Sequence, residues 1–218
     1  MPRSDSYAGY RAKLVEAVRQ NGIRDLAVLR AVGEVPRHLF VPPALQRQAY
    51  EDTALPIGSG QTISQPSTQA RALEALRLTG REKVLEVGTG SGYQTALLAM
   101  VAGQVFSVER VAALAERARA ALAEAGIGNV SVMVGDGTLG WRDYAPYEAM
   151  VVAAATREVP RPLLEQLAPG GRILLPLGPR ESQVLTLVTV NADGTTNAQP
   201  LAGARFVPLR GTHGFTDA

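Results

Sequence analysis

Apolar positions first recur at helical spacing near the start of the chain. Leu14, Val15 and Val18 share one face within residues 7–21, and Gly22 supplies a stop. Asp25 is placed to cap a second short helix over residues 26–32, with Leu29 on its buried side. The stretch from Val35 to Pro43 is apolar but broken by prolines, so it reads as an extended connection. Residues 58–66 are polar and glycine-rich and read as a loop. Residues 1–60 thus form an expected helical N-terminal lobe, and residues 61–218 an α/β core integrated with it. In that core the pattern predicts helices over 68–78, 93–100, 112–125 and 159–167. It predicts strands over 83–87, 104–108, 130–134, 147–153 and 171–176. Two final strands are expected over 183–190 and 205–208, flanking the turn-rich run Asn191-Ala192-Asp193-Gly194. Strands alternating with helices imply a mostly parallel sheet covered on both faces, and the closing pair implies an antiparallel edge.

Composition narrows the chemistry. The 218 residues include 46% hydrophobic and 19% charged residues, enough for one sizeable core. The net charge is only +2, Lys13 and Lys83 are the sole lysines, and the arginines are scattered, so no nucleic-acid footprint is expected. With no cysteine, disulfides and thiolate nucleophiles are excluded, and His38 and His213 lack metal-ligand spacing, so no metal is expected. The start MPRSDSYAGY does not read as a signal peptide, and no apolar run is long enough to span a membrane. A cytoplasmic location, a monomer and no membrane partner are the expectations.

The strongest motif is Val84-Leu85-Glu86-Val87-Gly88-Thr89-Gly90-Ser91-Gly92-Tyr93, where a strand turns into a helix. Such a turn lies at the carboxyl edge of the sheet, where open α/β folds bind ligands. The dinucleotide fingerprint G-x-G-x-x-G requires a third glycine where Tyr93 stands. Glu86 would not favour a pyrophosphate, but it would favour a cation. S-adenosylmethionine carries a sulfonium and an ammonium, so Gly88, Thr89, Gly90 and Glu86 are read as donor-binding. A tight turn with no ligand is the alternative. Glu109, about 20 residues on at the end of the next strand, is spaced to accept from ribose hydroxyls. Asp136 is placed to reach an adenine amino group, with Gly137 lining the ring; a plain Asp-Gly turn is the alternative.

These pieces resemble the Rossmann-like class I methyltransferase fold. A narrower resemblance rests on the order of Val35-Pro36-Arg37-His38-Leu39-Phe40-Val41-Pro42, Ala49-Tyr50-Glu51-Asp52, Leu55-Pro56-Ile57-Gly58 and Gly60-Gln61-Thr62-Ile63-Ser64-Gln65-Pro66 before the glycine turn. Asp136-Gly137, Gly140-Trp141, Ala145-Pro146-Tyr147 and Arg205-Phe206-Val207-Pro208-Leu209 follow it. Together they are similar to the protein-L-isoaspartate O-methyltransferase family over about residues 10–215. The resemblance implies methyl transfer from S-adenosylmethionine to the free α-carboxylate of L-isoaspartyl residues in damaged proteins or peptides. The product is S-adenosylhomocysteine, and the ester then collapses to a succinimide. It maps the catalytic or substrate-contacting serine onto Ser64, and the loop covering donor and substrate onto Gln61, Thr62 and Ile63. It also places Glu86, Gly88, Gly90, Glu109, Asp136 and Gly137 at donor-binding positions.

The chain departs from that pattern at Ser67, Thr68 and Gln69, where the family pattern has an aromatic or histidine and then a short apolar pair. This helix start is expected to face the peptide. Three competing readings follow: a carboxyl methyltransferase with a different acceptor, a nicotinamide-dependent oxidoreductase, and a noncatalytic interaction module that keeps a donor pocket. Failure to bind NAD would remove the second. Donor binding without turnover would favour the third.

Overall fold

The computed structural model describes residues 6–215. Residues 1–5, read above as part of a lobe without a leader, and residues 216–218, at the end of the expected core, lie outside the described residues. Helices α1 (Ala8–Gln20) and α2 (Leu26–Glu34) open the fold. The Asp25 carboxylate accepts from the N–H groups of Ala27 and Val28, at 2.8 and 3.1 Å, and so caps α2.

Next come two corrections. The 35–43 connection is not extended throughout but holds two 3-10 turns, Arg37–Phe40 and Pro43–Gln48. Val35 and Val41 are extended, as residues before proline must be. Each turn begins at a proline, where φ is preset: Leu39 N donates to Pro36 O and Leu45 N to Pro42 O. The 58–66 loop is instead largely a hairpin, β1 (Leu55–Gly58) and β2 (Gln61–Ile63), so the lobe is not wholly helical. Ser59 and Gly60 at its tip have φ of 54° and 67°, the positive values that a tight two-residue hairpin turn demands. Arg117 Nη2 donates to Ile57 O at 2.8 Å and ties the hairpin to the core.

The core follows as α3 (Pro66–Leu76), β3 (Lys83–Val87), α4 (Tyr93–Val101), β4 (Gln104–Glu109), α5 (Ala112–Glu124), β5 (Val130–Val134), β6 (Tyr147–Val152), α6 (Arg161–Leu164), β7 (Leu167–Leu177), β8 (Gln183–Val190) and β9 (Thr196–Ala204). The main sheet runs β5-β4-β3-β6-β7-β8-β9, with the first four pairings parallel and the last two antiparallel. Val84, Val105 and Leu174 join one apolar cluster with Leu14 and Val32 of the N-terminal helices and Leu97 and Leu98 of α4. Leu85, Phe106 and Leu175 face the other, with Leu163 of α6. Alternate strand residues thus feed opposite faces, as a sheet buried on both sides requires. Each fully buried leucine contributes about 1.5–3 kcal/mol.

Two further corrections concern the second half. The helix expected over 159–167 is only α6, because Pro160 delays its start and Leu167 already opens β7. The last strand is Thr196–Ala204 rather than 205–208. It is a largely exposed edge, and its Pro200 breaks the alternating pattern but is tolerated there. Among the described residues, no helix is long and apolar enough to cross a membrane.

Candidate active site

A cavity of about 500 Å³ opens at the carboxyl ends of β3 and β4, within the ~300–1,000 Å³ usual for small-molecule sites. Four segments wall it: the hairpin strand with Gln61–Ser64, the glycine turn, Glu109 with Arg110, and the tail of residues 205–210. Gly137 and the backbone around Ala153 close its sides.

The glycine turn is shaped by needs that differ from one residue to the next. Gly90 has φ of 55°, and its N–H donates to Glu109 Oε2 at 2.9 Å. Gly92 sits where a Cβ would come within 3.1 Å of Ala118, so its bareness serves the packing of α4 on α5 rather than a ligand. Tyr93, at the position of the missing third glycine, is fully buried against Phe40.

Glu86 lies beneath this turn and not on the cavity wall, which corrects the picture of a carboxylate beside the ligand. The physical reason is strand period: Glu86 shares the face of Val84 and points at α4. Its Oε2 accepts from the hydroxyls of Thr95 at 2.5 Å and Ser107 at 2.6 Å, and its Oε1 from Gln94 Nε2 at 3.3 Å. Burial, resisted by those three donors, pushes its carboxyl up to about 7. With Glu86 ionised the Ser107 proton is committed to it, so Thr89 donates to Ser107 across 2.5 Å. Gln94, which also lines the cavity, connects Glu86 to it.

Glu109 holds its place through Gly90 N and through Val111 N, the latter at 2.9 Å from Oε1. Each carboxylate oxygen keeps lone-pair capacity toward the cavity it lines.

Asp136 differs from the expectation. Its Oδ1 accepts from Thr138 N and Oγ1, and its Oδ2 from Thr212 N and Oγ1, at 2.6–2.9 Å. Burial works against its charge, but these hydrogen bonds outweigh it and hold the carboxyl below its ordinary value. The side chain pins the tail, while Gly137 alone of the pair reaches the cavity. A Cβ on Gly137 would overlap Val87 Cγ1.

Ser64 follows β2 directly and lines the cavity. Its main-chain carbonyl accepts from Arg37 Nη1 and Nη2, each at 3.2 Å. Asp52 holds the next residues: its Oδ1 accepts from Ser67 N at 2.8 Å and its Oδ2 from Gln65 Nε2 at 3.0 Å. Arg37 and Asp52 stood in the quoted motifs without an assigned role. Nothing local in the sequence predicts contacts 27 and 15 residues away. Gln94, Arg110, Ala153 and the 205–210 wall also lay outside the predicted set. The tail, read as a strand, instead makes a single bridge: Ala155 N donates to Val207 O at 2.8 Å and Leu209 N to Ala155 O at 2.7 Å.

A mostly parallel sheet with an antiparallel edge, a bare glycine turn and a strand-end glutamate around one cavity defines a class I, S-adenosylmethionine-dependent methyltransferase. The residues present suit that donor: the cavity volume is adequate, the turn has no side chains at its glycines, and Glu109 carries free acceptor capacity for hydroxyls. The family model for protein-L-isoaspartate(D-aspartate) O-methyltransferase matches residues 10–214, and the chain belongs to that family. A protein-L-isoaspartate O-methyltransferase 1 of Anaeromyxobacter sp. is 56% identical over 205 residues, covering 93% of this chain and 97% of the relative. A solved protein-L-isoaspartate O-methyltransferase is 30% identical with a TM-score of 0.84, over 94% of this chain and 67% of that one. A Plasmodium falciparum protein assigned to the same activity was solved with S-adenosyl-L-homocysteine. It shares the fold at a TM-score of 0.78 and 24% identity, over 92% and 98% of the two chains. The chain is an enzyme of protein repair that methylates L-isoaspartyl residues.

Proposed function

We propose that Ser64 orients the free α-carboxylate of the isoaspartyl residue, while the glycine turn, Glu109 and Gly137 hold S-adenosylmethionine across the same cavity. The observation that carries this reading is that Ser64 and the glycine turn line one cavity from opposite elements. The donor supplies a methyl group already activated by its sulfonium. The acceptor is a carboxylate, ionised at neutral pH, so no strong general base is needed. The protein's task is alignment and exclusion of water. Among the described residues nothing takes up the Ser64 hydroxyl, whereas its carbonyl is fixed by Arg37. That hydroxyl donates to the carboxylate and sets its approach without acting as a nucleophile. Glu109 accepts from the ribose hydroxyls. Glu86 acts from below, its charge favouring the donor's ammonium through the turn. Asp136 serves the adenine side by keeping Gly137 and the tail in place. We take the enzyme to be a metal-independent monomer in the cytoplasm.

The test is methyl transfer from labelled S-adenosylmethionine to two matched peptides, one with L-isoaspartate and one with L-aspartate. Base-labile label on the isoaspartyl peptide alone is the expected result. Donor binding with label on neither peptide would overturn the acceptor assignment.

A further inference from the structure

Gln69 is one of the three residues read above as departing from the resemblance, and it sits on α3 one turn beyond Ser64. Its side chain is 95% enclosed, being only 5% exposed, yet it borders the main cavity and a small adjoining one beneath Phe206. The amide has a determined orientation. Arg37 Nη1 lies 3.4 Å from Oε1, and a guanidinium can only donate, so the oxygen must face Arg37. Nε2, with two N–H groups, then faces the other way, and among the described residues nothing accepts from it. Among the described residues, the fully enclosed side-chain nitrogen and oxygen atoms without a partner are Arg37 Nε and Tyr93 Oη, and Nε2 is not one of them. It therefore touches open space, and the open space bordering Gln69 is the cavity that Ser64 shares.

An amide donor whose open side is the substrate cavity is met there by water until a ligand displaces it, so an anion entering that cavity finds a donor already held toward it by Arg37. We propose that Gln69 Nε2 is a second donor to the isoaspartyl carboxylate, beside the Ser64 hydroxyl, and so helps determine which acceptors this enzyme takes. The proposal rests on the reading of Ser64 as the carboxylate-orienting residue. An apolar side chain at residue 69 could fill the same space but would offer the anion nothing, whereas a hydrogen bond to a charged group stabilises by about 1.5–3 kcal/mol. Two donors on one carboxylate also fix its plane, which a single hydroxyl does not.

The experiment compares Gln69→Glu and Gln69→Met with the unaltered enzyme. Two quantities are read: binding of a fluorescent isoaspartyl peptide in the presence of S-adenosylhomocysteine, and KM and kcat for methylation. Gln69→Glu keeps an acceptor for Arg37, and strengthens it, but removes both N–H groups. A merely structural Gln69 would tolerate loss of the N–H groups. Because the new carboxylate also repels an anionic acceptor, a weaker Kd supports the proposal only where the uncharged Gln69→Met shows it too. The expectation is at least a tenfold weaker peptide Kd and higher KM in both variants, with S-adenosylhomocysteine affinity within twofold of the unaltered enzyme. Peptide affinity within twofold in either variant would overturn the proposal while leaving the Ser64 reading intact. Absence of isoaspartyl methylation by the unaltered enzyme would overturn that reading and this proposal with it. Should Gln69→Glu lose S-adenosylhomocysteine binding, the isosteric Gln69→Met decides alone by the same thresholds.

Discussion

Arg37 grips Ser64 by its main chain, with both terminal nitrogens 3.2 Å from the Ser64 carbonyl oxygen. The same guanidinium donates to Thr53 O at 3.1 Å and lies 4.8 Å over the Tyr93 ring, entirely out of solvent. A buried cation is tolerated only with such a set of partners. Lysine keeps the charge but cannot reproduce the planar fork. Arg37→Lys should therefore destabilise the fold by about 2–4 kcal/mol, and turnover of the isoaspartyl peptide should fall more than donor affinity. Urea denaturation and steady-state kinetics check both; a variant with unchanged midpoint and kcat would show that Arg37 does not hold the loop.

Ser64→Ala removes the free hydroxyl and leaves the carbonyl that Arg37 holds. One hydrogen bond to a charged group is worth about 1.5–3 kcal/mol, so kcat/KM for the peptide should drop roughly ten- to hundredfold. S-adenosylmethionine affinity should stay within about twofold, because the glycine turn, Glu109 and Gly137 are on other elements and the substitution leaves Gln61–Ile63 untouched. Equal loss of both quantities would remove the role given to Ser64.

Asp136 ties down the tail that walls the cavity. Its Oδ2 takes both Thr212 N and Thr212 Oγ1, at 2.7 and 2.8 Å. Asp136→Asn sets an N–H pair against donors on one side, at a cost of about 1–3 kcal/mol. Faster hydrogen exchange at the Thr212 amide and weaker donor binding are expected. Because the folded-state carboxyl is held below its ordinary value, the anchor is fully present above that value. It is lost as pH falls through the depressed one. An unchanged Thr212 exchange rate in Asp136→Asn would refute the anchoring.

The parallel half of the fold was legible because its strands are short apolar runs punctuated by glycine, and β3 and β5 fall where the pattern sets them, as does β8 of the antiparallel edge. The failures have separate physical sources. The hairpin was hidden because Gly58 and Gly60 signal a turn equally well in a loop and between strands. β9 was hidden because an exposed edge strand has no apolar face to alternate. Within the site, spacing singled out Gly88, Thr89, Gly90, Glu109 and Gly137, and the family resemblance singled out Gln61–Ser64; all of them line the cavity. Glu86 and Asp136 were readable as chemistry but not as geometry. Strand parity turns the first inward, and the distant Thr212 draws the second away. Arg37 was unreadable as a loop holder, since its partners at Thr53 and Ser64 meet it only through the tertiary fold.

Glu86 links stability and donor binding to pH. Its ordinary value is 4.5, and burial raises it to about 7, with Glu109 adding a smaller repulsion. Between those two values the folded protein holds a proton that the unfolded chain has released. Raising pH across that window therefore withdraws stability, on the order of 3 kcal/mol, and above about 7 the loss is complete. Other carboxyls, such as Asp136, act in the opposite sense, so the comparison must be with Glu86→Gln, which keeps the shape and removes the titration. The stability difference, unaltered protein minus variant, should fall as pH rises from 4.5 to 7 and then level off. Donor affinity should show the complementary sign. A cationic ligand favours the ionised carboxylate, so binding S-adenosylmethionine releases a proton from Glu86 below pH 7, and affinity climbs with pH in that range. The donor's own α-amino group loses charge near pH ~8 in both proteins, so that limb is common and cancels. Calorimetric titration in two buffers of different ionisation enthalpy measures the released proton directly. Equal proton release by the unaltered protein and Glu86→Gln at pH 6.5 would show that Glu86 carries no charge change on binding.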